Sequence, residues 1–132
     1  MILLDTNVII YAVRPGEYQR LRAMLDRPDQ FFASYVSQVE ALGYWRTQPP
    51  EEARLELFFD GLELLPIESV VARQAVLLRQ SKKMQISDAI IAATALVHKL
   101  ELWTHDTTDF ADIKGLRLFD PLADSSTVNL QV

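Results

Sequence analysis

Two segments decide the fold: Ser87-Asp88-Ala89-Ile90-Ile91-Ala92-Ala93-Thr94-Ala95-Leu96-Val97-His98-Lys99 and, directly after Leu100, Glu101-Leu102-Trp103-Thr104. The first is apolar nearly all round from Ala89 to Val97, the composition of a helix packed centrally rather than along a solvated face. Ser87 introduces it, so Asp88 falls in the first turn, where a carboxylate also compensates the helix dipole. The second segment is a short buried strand. A long helix running straight into such a strand belongs to an α/β arrangement.

Working outward, the same alternation covers most of the chain. Ile2-Leu3-Leu4 reads as a first strand and Val8 to Val13 as a short helix ending at Arg14-Pro15-Gly16. Helical spacing of Leu21, Met24 and Leu25 follows, within Glu17 to Leu25, and breaks at Pro28. Phe31-Phe32-Ala33 is a second strand, after which Ser37 is expected to cap a helix running to about Arg46 and stopped by Pro49-Pro50. Acids after Pro50 open a helix from Glu51 to Asp60. Leu62 to Leu65 is a third strand, Ser69 to Gln80 a helix, and Leu116 to Phe119 a fifth strand. Strands this short between longer helices predict an α/β fold: a parallel sheet of about five strands sandwiched by helices.

Length and composition set the outer bounds. The 132 residues predict a single domain over 1–132, with about 124–132 a loose C-terminal tail lacking periodicity. The absence of cysteine excludes disulfides, thiolate zinc sites and a cysteine nucleophile, and two histidines exclude a multi-histidine metal site. The apolar start is cut by Asp5 and has no basic leader, and no stretch approaches the roughly 20 apolar residues of a bilayer span. A soluble, cytoplasmic protein without membrane contact is therefore expected. A net charge of −5 weighs against a general nucleic-acid binder.

In an open parallel sheet, ligands bind beyond the carboxyl ends of the strands. Asp5 directly follows the first strand, Glu40 lies about a turn into the helix after the second, and Asp106 lies just past the fourth, with Asp109 beyond it. Asp88 is the misfit, because it opens the helix that leads into the fourth strand. Each acid also has a structural reading: Asp5 as an N-cap, Glu40 as a solvated helix residue, Asp88 as dipole compensation, and Asp106 and Asp109 as turn residues. Converging, they would repel one another unless a cation were present. Oxygen-only ligands favour magnesium or manganese, and paired ions about 3.5–4 Å apart suit in-line displacement at a phosphodiester.

Four motifs carry a resemblance to a known family: Leu4-Asp5-Thr6-Asn7, Ser37-Gln38-Val39-Glu40, Ser87-Asp88-Ala89-Ile90-Ile91-Ala92-Ala93-Thr94-Ala95 and Leu102-Trp103-Thr104-His105-Asp106-Thr107-Thr108-Asp109-Phe110. In order and spacing they resemble PIN-domain proteins, and specifically the VapC-type toxins of toxin–antitoxin operons, from Met1 to about Leu122. The resemblance implies a PIN-like fold and a Mg2+- or Mn2+-dependent endoribonuclease. It implies that Asp5, Glu40, Asp88 and Asp106 are both the catalytic acids and the metal ligands. Thr6 and Thr104 fall on auxiliary hydroxyl positions, and Asp109 stands as an assistant or competitor to Asp106. It further implies an RNA substrate, a homodimer, and a cognate antitoxin that holds the toxin inactive, for which an arginine set among the carboxylates would serve.

Two other readings are a PIN nuclease of RNA processing with no toxin role, and a non-catalytic PIN binding module. A phosphoacceptor domain ranks last, since no acidic pair follows the first strand. Local cations against the acidic balance are Arg14 and Lys82-Lys83, each of which also reads as an ordinary solvated residue. Phe31, Phe32, Tyr44, Trp45, Phe58, Phe59 and Trp103 are read as core or interface residues rather than base-stacking groups. With neither a basic stripe nor an exposed aromatic platform, the expectation is structured RNA selected by shape, or a groove formed by a dimer.

Overall fold

The computed structural model describes residues 1–27 and 30–123. The expected C-terminal tail, 124–132, lies outside the described residues. Five strands, β1 (Ile2–Leu4), β2 (Phe31–Ser34), β3 (Glu63–Leu65), β4 (Glu101–Trp103) and β5 (Leu118–Phe119), form one sheet in the order β3-β2-β1-β4-β5. Every pairing is parallel, with Leu3 opposite Leu102 and Leu4 opposite Trp103. This is the α/β arrangement that the alternating pattern predicts.

The helices are α1 (Thr6–Ala12), α2 (Gln19–Met24), α3 (Tyr35–Leu42), α4 (Pro49–Asp60), α5 (Ser69–Ser81) and α6 (Ile86–His98). A 3-10 turn spans Thr107–Phe110. Because successive strand residues point to opposite faces, Leu3 and Leu102 enter one core and Leu4 and Trp103 the other. The first core lies under α5 and α6 and includes Val71, Ala75, Ile91, Ala92 and Ala95. The second packs Val8, Ile9, Leu21, Ala41, Leu55 and Phe59 against Phe31 and Ala33. The predicted all-round apolar helix is α6, buried at Ala89, Ile91, Ala92, Ala93, Thr94 and Ala95.

Three local expectations are corrected. Helix α3 begins at Tyr35 and is capped by Ser34, whose hydroxyl accepts from the Val36 N–H at 3.0 Å, so Ser37 does not cap it. Strand β2 passes into α3 with no intervening loop, and the residue where the backbone turns helical is therefore the strand's last. The same helix stops at Gly43 rather than near Arg46, leaving 44–48 as a connecting loop. Helix α1 likewise starts two residues early, because Asp5 caps it through the Thr6 N–H. Among the described residues no helix is long and apolar enough to cross a membrane.

Candidate active site

The switch in strand order between β1 and β4 opens a crevice at their carboxyl ends. There the Asp5 N–H donates to the Trp103 carbonyl at 2.9 Å, continuing the β1–β4 ladder by one rung. That rung places Asp5 beside Thr104. A cavity of about 530 Å³ lies over it, lined by Asp5, Glu40, Asp88, Asp106 and Asp109 together. All four acids expected at the site, and the fifth as competitor, thus meet in one space.

Each acid arrives by a different route. Asp5 is 4% exposed. Its Oδ1 accepts from the Thr6 N–H at 2.8 Å and its Oδ2 from the Thr104 hydroxyl at 2.8 Å. Thr104 is fully buried, and its oxygen also accepts from the Asp106 N–H at 2.9 Å, so one hydroxyl sets the spacing of two acids. Glu40 stands in the second turn of α3, and its Oε1 accepts from the Thr6 hydroxyl at 2.6 Å. That hydroxyl also lies 2.9 Å from Ser37 Oγ; with its single proton committed to the carboxylate, Thr6 is the acceptor there and Ser37 the donor. Asp106 Oδ2 accepts from the Asn7 amide at 2.6 Å. Asp88 reaches the cavity from the first turn of α6, which solves its apparent misfit: α6 packs against β4 with its N-terminus over the strand ends.

The auxiliary residues therefore act as holders of carboxylates, Thr6 for Glu40 and Thr104 for Asp5. The sequence did not reveal Asn7 as a holder of Asp106, or Ser37 as the partner of the Thr6 hydroxyl that holds Glu40. Both lie inside quoted motifs, but a hydroxyl and an amide carry no signal of their partners until the chain brings residues 31 and 99 positions away beside them.

The electrostatics are those of crowded acids. Burial, the largest cause, raises Asp5 from 3.8 to about 6; its bonds from Thr104 and Thr6 oppose the rise, and Asp88 and Asp106 add to it. Asp88 is raised from 3.8 to about 6 by burial and then by the charges of Asp109, Glu40 and Asp106. Both groups are poised near neutrality and gain from a nearby positive charge. Among the described residues no three acidic or histidine side chains already close around a single point. Two of the acids are turned toward Thr6 and Asn7 instead, while Glu40 and Asp109 are exposed at the rim. An all-oxygen, mutually repelling donor set of this kind suits a hard divalent cation that retains waters.

Of the expected cations, Arg14 lines this cavity, its guanidinium 5.0 Å over the Tyr11 ring. Lys82 and Lys83 line a neighbouring cavity that shares Gln85, Asp88 and Asp109 with the first. The Lys82 ammonium is tied to the Ala111 carbonyl at 2.5 Å. The aromatic residues divide. Trp103 is buried, donates to Glu101 Oε1 at 2.9 Å and packs edge-on to Phe31. Phe59 is buried and Phe58 half-buried. Tyr44 and Trp45, however, are 55% and 79% exposed, so the chain has an exposed aromatic pair after all. The early end of α3 puts them in a loop instead of on a packed helix face.

Residues 2–116 match the family model of the PIN domain. The chain belongs to the PIN-domain family. Among solved structures, a toxin–antitoxin complex from Klebsiella pneumoniae contains a chain 31% identical, aligned over 92% of this chain and 98% of that one with a TM-score of 0.76. FitAcB from Neisseria gonorrhoeae gives 30% identity over 93% and 99%, with a TM-score of 0.75. DNA-bound VapBC from Salmonella typhimurium, at 23% identity over 91% and 97%, shares the fold with a TM-score of 0.79. No curated protein matches the chain. The resemblance to VapC-type PIN proteins drawn from the four motifs holds.

Proposed function

We propose that this PIN domain is a divalent-metal-dependent endoribonuclease that serves as the toxin of a toxin–antitoxin pair. The observation that carries the reading is the meeting of Asp5, Glu40, Asp88, Asp106 and Asp109 in one cavity at the carboxyl ends of β1 and β4. Asp5, Glu40, Asp88 and Asp106 are the proposed Mg2+ or Mn2+ ligands, with Asp109 assisting. A bound divalent cation there supplies the positive charge that admits a phosphodiester and acidifies water. The protein's own part is positional: Thr104 and the Thr6 N–H hold both oxygens of Asp5, Thr6 holds Glu40, and Asn7 holds Asp106. Each carboxylate oxygen has a second lone pair for a metal, so these bonds orient the ligand set without consuming it.

The toxin role rests on the likeness to a chain of a toxin–antitoxin complex, 31% identical over nearly the whole chain. By that likeness the partners are an RNA substrate, a second copy of the chain and a cognate antitoxin, acting in the cytoplasm. The test is RNA cleavage by the purified protein with Mg2+, Mn2+ or EDTA, beside Asp5→Asn and Asp88→Asn. Cleavage that needs the metal and disappears in both folded variants is expected. Variants that cut as well as the parent would refute the site. Growth arrest on expression without the upstream partner tests the toxin role separately.

A further inference from the structure

One member of the exposed aromatic pair, Tyr44, lines the carboxylate cavity, and the other, Trp45, is its neighbour in the chain. Tyr44 and Thr47 line that cavity beside Glu40. Trp45 follows Tyr44 with their rings 6.5 Å apart, and the Arg46 guanidinium lies 4.5 Å from the centre of the Trp45 ring. The loop carrying them is held in shape. Thr47 N–H donates to the Tyr44 carbonyl at 3.0 Å, the Thr47 hydroxyl to the Ala41 carbonyl at 3.4 Å, and the Gln48 amide to the Arg46 carbonyl at 3.3 Å. A tryptophan left this open gains nothing for the core, and an arginine stacked on it is already in place.

We infer that Trp45, with Arg46 and Tyr44, is a base-stacking platform that fixes the nucleotide next to the scissile phosphate on single-stranded RNA. The inference rests on the proposed ribonuclease reading and adds where the substrate is gripped. In a chain of net charge −5, a long phosphate-binding stripe is not what supplies affinity. Stacking is independent of net charge, and one guanidinium beside the ring meets the adjoining phosphate. Stacking also requires a base that is not already paired, so the platform selects loops or single strands over intact duplex. On the far side of the acids, the second cavity carries Arg79, Lys82 and Lys83, giving the backbone a cationic exit.

The two tryptophans provide the readout, since Trp103 is buried in the core and Trp45 is open to solvent. Single-stranded oligoribonucleotides are titrated into cleavage-dead Asp5→Asn protein while emission is followed, and cleavage is measured with Mn2+ in the parent, Trp45→Ala and Trp45→Phe. The platform predicts emission quenched by RNA in the Asp5→Asn protein and no quenching once Trp45→Ala is added. It predicts a KM raised about tenfold or more in Trp45→Ala with kcat near the parent's, and partial rescue by Trp45→Phe. Parent cleavage with an unchanged KM in Trp45→Ala overturns the platform and leaves the nuclease standing. RNA that quenches Trp45 without being cut by the parent refutes the nuclease and overturns the placement of the platform beside a scissile phosphate, leaving only an RNA-stacking surface. A parent that neither binds nor cuts refutes both. Conversion of a dimer to a monomer by Trp45→Ala, with RNA binding unchanged, assigns the pair to a second copy of the chain instead.

Discussion

At the scale of single residues, Asp5 and Thr104 set the character of the cavity. A buried carboxylic acid raised from 3.8 to about 6 binds its proton more tightly in the folded chain than in the unfolded one. The folded state therefore holds more protons between those two values, and stability falls as pH rises through that window. The loss is complete above about pH 6 and corresponds to about 3 kcal/mol for this group. Metal-free protein is thus expected to melt lower at pH 7 than Asp5→Asn does, with the difference closing toward pH 4. Thermal unfolding across that range checks this, and a parent as stable as Asp5→Asn at pH 7 would contradict it. Adding Mg2+ at pH 7 should raise the melting temperature of the parent and do so less for Asp88→Asn. Thr104→Val, which keeps the shape but removes the bond to Asp5 Oδ2 and the acceptor for Asp106 N–H, should lower metal affinity or cleavage roughly ten- to hundredfold. Metal titration with the variant and parent side by side decides it.

At the scale of elements, caps decide where the acids point. Ser34 ends β2 and caps α3 at once, fully buried, so it fixes the angle at which α3 carries Glu40 over the sheet edge. Ser34→Ala is expected to cost about 1 kcal/mol through the lost cap, read as a lower denaturation midpoint with an unchanged slope. The alternation of strands and helices was legible in the sequence because the apolar runs are short and the helix of Ala89 to Val97 is unmistakable. The beginning and end of α3 were not. Ser34 and Ser37 are equally good caps by residue type, and the one used depends on where β2 hydrogen-bonds to its neighbours. The same uncertainty hid Trp45, whose exposure follows from α3 stopping at Gly43.

At the scale of the molecule, charge is distributed against the average. The cavity gathers six acids, Glu51 among them, while Arg14 stands at one wall and Arg79, Lys82 and Lys83 line the cavity beyond Asp88 and Asp109. If RNA leaves along that side, Arg79→Glu with Lys83→Glu should weaken binding and flatten its dependence on salt, by a slope of about 0.7 for each single-strand phosphate that is no longer neutralised. Binding measured over a salt series distinguishes this from a folding defect, which would alter affinity without changing the slope.

The four carboxylates illustrate where sequence and tertiary structure divide the work. Order along the chain was enough to place Asp5 and Asp106 beyond β1 and β4, because a parallel sheet exposes the same end of every strand. The apolar run of α6 was enough to make that helix central, since a helix without a polar face must be covered on all sides. What only the folded chain decided was convergence. Asp88 belongs to the site because α6 lies across the sheet with its first turn over the β1–β4 switch. Thr6, Asn7 and Thr104 hold the acids, and Ser37 meets the Thr6 hydroxyl, because contacts between distant residues, set by the register of β1 against β4 and the docking of α3, bring them within hydrogen-bond reach. Local patterns encode which elements form and which faces are apolar. The distances between side chains on different elements depend on how those faces pack, which no single segment contains.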